Sequence, residues 1–360
     1  MKQLEEFRGR GLTVALAGKL RSRIDGPLRV MEVCGTHTNA VFRHGLRAMF
    51  PPDLRLISGP GCPVCVTPAG EIDAFLDVCH RPQVTAATFG DLVRVPGRRG
   101  SLASARAEGA SVEVVYSPMD ALSLAEADRS RLVVFLGIGF ETTVPAVAAT
   151  IKEARRRGLE NFAVYSAHKT MPAALEALLS DPDLGVDGLL CPGHVSTVIG
   201  ARAYEPIARR HGMPCVVAGF EPADIFEALI LLAGQIRDGR AVVENAYPRA
   251  VTWEGNARAQ RTIDEVFRPA DAEWRGLGVI PGSGLALRDE FAQFDAAGRL
   301  EIRITPSPEP KGCLCGAILK GQRIPTDCPL FATRCTPVEP VGPCMVSTEG
   351  TCSAYYRFGR

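Results

Sequence analysis

Two thiols two residues apart, Cys62 and Cys65, stand in the run Gly59-Pro60-Gly61-Cys62-Pro63-Val64-Cys65, between an apolar stretch and the start of a helix. Leu54–Ile57 in front has the character of a buried strand. Behind, Thr67 and Pro68 read as N-cap and first helical residue, with Ile72, Phe75, Leu76 and Cys79 forming one buried face. A thiol at a helix N-terminus faces unpaired N–H groups and the positive dipole end, which favours thiolate and hence nucleophilic, redox or metal chemistry. Cys34, in Cys34-Gly35-Thr36-His37-Thr38-Asn39, also follows a strand and precedes a helix, with Thr38 near its cap, and a low pKa is expected for it too. His37 lets that turn present sulfur and imidazole to one point, a donor set for iron, copper or zinc; a hydrogen-bonded loop histidine is the plain alternative. Three thiols on adjacent strand ends also suit thiol–disulfide exchange, with Cys62 and Cys65 closing a bridge and releasing it on reduction.

A second concentration lies in the tail, where Cys313, Cys315, Cys328, Cys335, Cys344 and Cys352 fall within 40 residues, interleaved with Pro325, Pro329, Pro337, Pro340 and Pro343. Such a segment has too little apolar material to fold by packing alone, and four thiolates around a metal or cluster would organise it. The paired CxxC knuckles of structural zinc are absent, and the irregular, proline-flanked spacing favours an iron–sulfur cluster. Spacing does not choose four ligands from six. Cys79, Cys191 and Cys215 read as buried small hydrophobes.

The strands that position these residues recur at Leu28–Val33, Leu54–Ile57, Val84–Thr88 and Val112–Val115, then at Leu132–Leu136, Phe162–Tyr165, Gly188–Leu190 and Cys215–Ala218. Helix-length segments between them give a βαβ rhythm and parallel sheets. Taken in order, the strands imply two α/β domains of four strands each, residues 1–130 and 131–240. Residues 241–360 follow as a bridging segment and a small, cysteine-rich, helical or irregular domain. An opening helix carries Leu4, Phe7, Leu12, Val14, Leu16 and Leu20; Ala223–Gly239 reads as an amphipathic bridge between domains; Pro281-Gly282-Ser283-Gly284 marks a turn; Thr305–Pro310 reads as a linker. Parallel sheets bind ligands at the carboxyl ends of their strands, and there the chain repeatedly places polar, glycine-rich loops, which suggests one shared cleft.

Among those loops, Gly137-Ile138-Gly139 lacks the third glycine of a dinucleotide fingerprint, which leaves an anion or small-ligand site at the helix beginning near Thr143. Glu141 reads as a hydrogen-bonding or interface residue rather than a general base. His168 and His194 both follow strands, and together in one cleft they suit proton transfer or ligand positioning. With 41 basic and 40 acidic residues there is no electrostatic footprint for nucleic acid or an anionic membrane. No apolar run approaches the roughly 18 residues of a membrane helix, and Met1–Glu6 lacks a signal peptide's apolar core, so a cytoplasmic location is expected. In a reducing compartment, twelve cysteines argue for metal or redox chemistry over a disulfide framework.

Cys34-Gly35-Thr36-His37, Gly59–Cys65, Gly139-Phe140-Glu141-Thr142-Thr143, Pro192-Gly193-His194-Val195-Ser196 and the cysteine tail, in that order, resemble the HypD family of [NiFe]-hydrogenase maturation factors over essentially the whole length. The resemblance implies a cytoplasmic scaffold that, with a small HypC-type partner, holds iron while cyanide and carbon monoxide are installed, the cyanide coming from a HypE-type partner. It implies an iron or redox role for Cys34, Cys62 and Cys65; His37 and His194 are read as donors behind the iron ligands, and Glu141 is kept as a further candidate site residue. The family's cluster pattern, four cysteines separated by 14, 6 and 16 residues, falls on Cys313, Cys328, Cys335 and Cys352 as ligands of a [4Fe-4S] cluster. Cys315 and Cys344 are left as a second redox pair. By analogy with ferredoxin-thioredoxin reductase, the cluster would feed electrons toward Cys62 and Cys65. A stand-alone iron–sulfur thiol-disulfide oxidoreductase is the alternative, weakened because a reductase has no need of a third strand-end thiol.

Overall fold

The structure, a computed structural model, describes residue 7 and residues 9–305 and 308–359. Met1–Glu6, with Leu4 of the opening helix, and Pro306 and Ser307 of the linker lie outside the described residues. The eight apolar runs form strands β1 (Leu28–Glu32), β2 (Leu54–Ser58), β3 (Val84–Thr88), β4 (Val112–Val114), β5 (Leu132–Gly137), β6 (Phe162–Ser166), β7 (Gly188–Pro192) and β8 (Cys215–Ala218). A ninth, β9, spans Val243–Asn245 and was not expected. Every pairing among the nine is parallel.

These runs are continuously apolar because both faces of each sheet are covered. Along β5, Val134 and Leu136 face the core between the two sheets, whereas Val133 and Phe135 face an outer layer. Along β8, Cys215 and Val217 join the same central core while Val216 and Ala218 point to the opposite outer layer. The period of two thus divides each strand between two cores.

The grouping of strands differs from the consecutive one. One sheet has the order β2-β1-β7-β8-β9 and the other β4-β3-β5-β6, so the sheets do not divide at residue 130. The apolar pattern of a buried parallel strand is the same whichever neighbour it takes; crossover connections choose the neighbour. The chain leaves the first sheet after β2, builds the second, and returns at β7.

The helix expected over Ala223–Gly239 spans Pro222–Arg237, begun by Pro222 and capped by a Glu221–Asp224 box. It does not bridge domains. It lies on β7 and β8 under the helix Arg10–Arg21, within the outer core of the five-stranded sheet. The turn expected at Pro281–Gly284 lies instead inside an antiparallel hairpin of β10 (Phe267–Trp274) and β11 (Gly278–Leu287). The reversal occurs at Arg275–Leu277, and Gly282, at φ +66°, accompanies a register shift between Ala270 and Ala272.

The tail is helical in short pieces, Cys315–Leu319, Pro343–Val346 and Thr351–Phe358. It docks on the helix Gly35–Arg43: the rings of Phe42 and Tyr355 meet tilted with centroids 4.5 Å apart, and Asn39 Nδ2 donates to the Thr348 carbonyl at 3.0 Å. Among the described residues no helix is long and apolar enough to cross a membrane.

Candidate functional site

Cys34 leaves β1 in extended conformation and is the N-cap of the helix Gly35–Arg43. Its N–H donates to Glu32 Oε2 at 3.1 Å, and the Thr38 hydroxyl donates to Glu32 Oε1. The helix end does not make this a low-pKa thiol, as had been expected. Burial pushes Cys34 up to about 12, and the charges of Glu349 and Glu32 add to the shift. Two neighbouring carboxylates and lost hydration outweigh a dipole that contributes only fractions of a unit charge. Glu32 itself is pushed up to about 8 by burial.

Cys62 and Cys65 form a disulfide and are 3% and 0% exposed. Their setting differs from the one expected: Cys62 caps a separate short helix, Pro63–Val66, and the next helix runs from Ala69 to Cys79 with Pro68, not Thr67, as N-cap. Because β1 and β2 pair with Glu32 opposite Ser58, the two cysteine loops emerge side by side. They interlock: Gly35 N–H donates to the Gly61 carbonyl at 3.0 Å, and a Cβ on Gly61 would stand 2.3 Å from the Cys34 nitrogen.

Around them, His37 is fully buried with Nε2 3.0 Å from the Gly219 carbonyl and 3.2 Å from that of Ala218, while Nδ1 has no partner. Burial lowers it to about 4, so it is neutral. His194 stacks on Phe220 at 4.0 Å, with Nδ1 3.4 Å from Thr36 Oγ1, and the Thr36 hydroxyl donates to Glu349 Oε1 at 2.6 Å. Thr36 thus links His194 to Glu349. Glu349 also feels Asp91, from the loop after β3, so the cleft gathers strand ends from both sheets.

Glu141 and His168 stand on strand ends of the second sheet. Glu141 Oε1 accepts from Met171 N–H at 2.9 Å, Oε2 has no partner, and burial raises its pKa to about 7. His168 is buried against Ser166 at 3.0 Å and lowered by burial to about 3.

All six tail cysteines line one cavity, with Ile318, Leu330, Phe331, Gly342 and Met345. The sulfurs of Cys315 and Cys344 stand 3.0 Å apart. Val341 N–H donates to Cys335 Sγ at 3.3 Å, the kind of bond that tunes a cluster sulfur. Among the described residues no three histidine, cysteine or acidic side chains are gathered around a single ion position. Six thiols around one enclosed and otherwise apolar cavity are the donor chemistry that an iron–sulfur cluster takes. The helix Pro343–Val346 packs against Pro63–Val66, bringing Cys344 and the Cys62–Cys65 disulfide into one core.

Three residues of this region escaped the sequence. Glu32, a carboxyl inside an apolar strand, left a legible sign. Glu349 left none, nor did Arg275, a buried arginine whose N–H and Nε donate to the carbonyls of Val66 and Thr67 at 2.7 and 3.1 Å. Its Nη1 pairs with Glu309 at 2.6 Å, and its charge acts on Cys315 and Cys344.

A family model, HypD, described as the Hydrogenase formation hypA family, matches residues 12–359. The chain is 47% identical to the "Hydrogenase maturation factor HypD" of Azotobacter vinelandii over 369 residues, covering 100% of this chain and 97% of that protein. It is 47% identical to that of Cupriavidus necator over 371 residues (100% and 98% covered). Against that of Escherichia coli K12 it is 44% identical over 371 residues (99% and 98% covered).

Proposed function

The chain belongs to the HypD family and so has a role in [NiFe]-hydrogenase maturation, and from that premise we propose that it is the scaffold on which the Fe(CN)2CO group is assembled. The iron is cargo. Cys34 is its ligand, protonated in the empty site, and it gives up that proton to solvent as iron binds. Soft thiolate suits a ferrous ion bearing cyanide and carbon monoxide.

Cys62 and Cys65 are the redox pair: two electrons and two protons open the disulfide to two thiols beside Cys34, and reoxidation returns them. His37 fixes the β8 end of the cleft through backbone carbonyls, and His194 stands beside Thr36 at its rim. Cys313, Cys328, Cys335 and Cys352 are the residues that would hold a [4Fe-4S] cluster, which supplies one-electron redox chemistry when bound. Cys315 and Cys344, with sulfurs 3.0 Å apart, are a second thiol pair between that cavity and the Cys62 helix. A HypC-type chaperone and a HypE-type cyanide donor are the partners, in the cytoplasm.

The interlock of Gly61 on Cys34 carries this reading, since it fixes three thiols at one strand-end junction, where an oxidoreductase would need two. Cys34→Ala protein, isolated with its small partner, is expected to lose the infrared bands of iron-bound cyanide and carbon monoxide. Undiminished bands would remove Cys34 from the role.

A further inference from the structure

A pocket of about 120 Å³ opens between the edge strand β2 and the tail, and Arg47, Arg55 and Arg323 line it. All three are exposed. Among the described residues no aspartate or glutamate lines the pocket and none of the three arginines forms an ion pair. Some arginines elsewhere are ion-paired, Arg99 with Asp77, Arg157 with Glu153 and Arg249 with Asp224. In a chain of 41 basic and 40 acidic residues, three unpaired guanidinium groups around one pocket are a local positive excess in its lining.

The pocket's position gives the excess a meaning. Ile318 lines both this pocket and the six-cysteine cavity, so the two share a wall. Thr351, on the pocket wall, directly precedes Cys352. Arg47 is held ready by stacking on Phe42 and Tyr355, with Nη1 donating to the Tyr355 hydroxyl at 2.6 Å. Arg55 and Arg323 reach outward with their forks unspent, the geometry that receives carboxylates two oxygens at a time. Ile324, Pro325 and Leu56 supply a small apolar floor. A few unpaired charges around a little apolar surface describe a brief, electrostatically steered encounter rather than a permanent interface.

We infer that this face docks an acidic one-electron carrier protein, which delivers its electron to the cysteine cavity through the Ile318 wall. The inference rests on reading that cavity as a cluster site. One electron leaves the reduced carrier and one arrives at the cluster; no bond is made or broken and no proton moves.

The test uses the full chain with iron and sulfide content measured first, reduced flavodoxin as the acidic carrier, and stopped-flow bleaching of the cluster absorbance. The bimolecular rate is expected to fall steeply with ionic strength. Arg55→Glu with Arg323→Glu should lower it about tenfold or more at low salt while reduction by methyl viologen radical is unchanged. Equal rates in parent and variant, a rate insensitive to salt, or the same loss from Arg129→Glu with Arg258→Glu on another surface would overturn the inference. If the chain holds no cluster, the cluster reading fails on its own. Anisotropy of labelled flavodoxin against the same protein then decides the docking surface: salt-sensitive binding lost in the double variant supports it, and absence of binding rejects it.

Discussion

Gly61 lies so close to Cys34 that a Cβ on the glycine would fall 2.3 Å from the cysteine's nitrogen and 2.5 Å from its Cα. Both partners of that contact are backbone, so neither can swing aside. Gly61→Ala is expected to part the two cysteine loops and cost about 1–3 kcal/mol, as overpacking does. Gly18→Ala, with nothing within 4 Å, should be neutral or slightly stabilising. Urea unfolding of both checks the stability, and the infrared bands of bound iron ligands should fall only for Gly61→Ala.

Cys34, pushed up to about 12 by burial and then by Glu349 and Glu32, should alkylate slowly at pH 8 in the iron-free protein. Glu349→Gln keeps an acceptor for the Thr36 hydroxyl but removes a charge, so the alkylation rate at Cys34, followed by peptide mass spectrometry, should rise severalfold. An unchanged rate would mean that Glu349 does not act on the thiol.

The tail cysteines should divide four against two. Cys328→Ala is expected to abolish the visible absorption of anaerobically purified protein, whereas Cys315→Ser and Cys344→Ser keep a full complement of iron and sulfide. One full cluster per chain in Cys328→Ala would refute the ligand set.

Glu141 tests the cost of a buried carboxyl. Its folded pKa, about 7, lies above the ordinary 4.5, so its stabilising contribution is complete below pH 4.5 and is lost as pH rises through 7. Glu141→Gln keeps the acceptor for Met171 N–H and removes that loss. Relative to the parent, the variant should gain on the order of 3 kcal/mol between pH 4.5 and 7, and then no more, by denaturant unfolding across pH.

Arg275 joins the Cys62 helix to the tail. Arg275→Met keeps the backbone N–H that donates to the Val66 carbonyl but leaves the Thr67 carbonyl short of a donor and Glu309 without its partner, and should destabilise by about 3–5 kcal/mol. Thermal unfolding measures it; a loss below about 1 kcal/mol would show that water replaces the guanidinium.

By itself the sequence determined the eight main strands, because a parallel strand buried on both faces must be apolar throughout, and it determined which residue types wait at the strand ends. It located Cys34, Cys62 and Cys65 at consecutive strand ends and the six tail cysteines in one segment, since spacing and residue type are local properties. Only the tertiary structure decided that β1 and β2 share a sheet with β7 while β3 and β4 share one with β5 and β6, because identical apolar patterns fit any neighbour. It also decided the state of Cys34: a helix N-terminus is legible in sequence, but the burial and the carboxylate of Glu349 that outweigh it come from a segment over 300 residues away. The opening motif shows the same division. Gly59–Cys65 announced a reactive thiol pair, and only the fold set its glycine against the Cys34 backbone and its helix against Cys344.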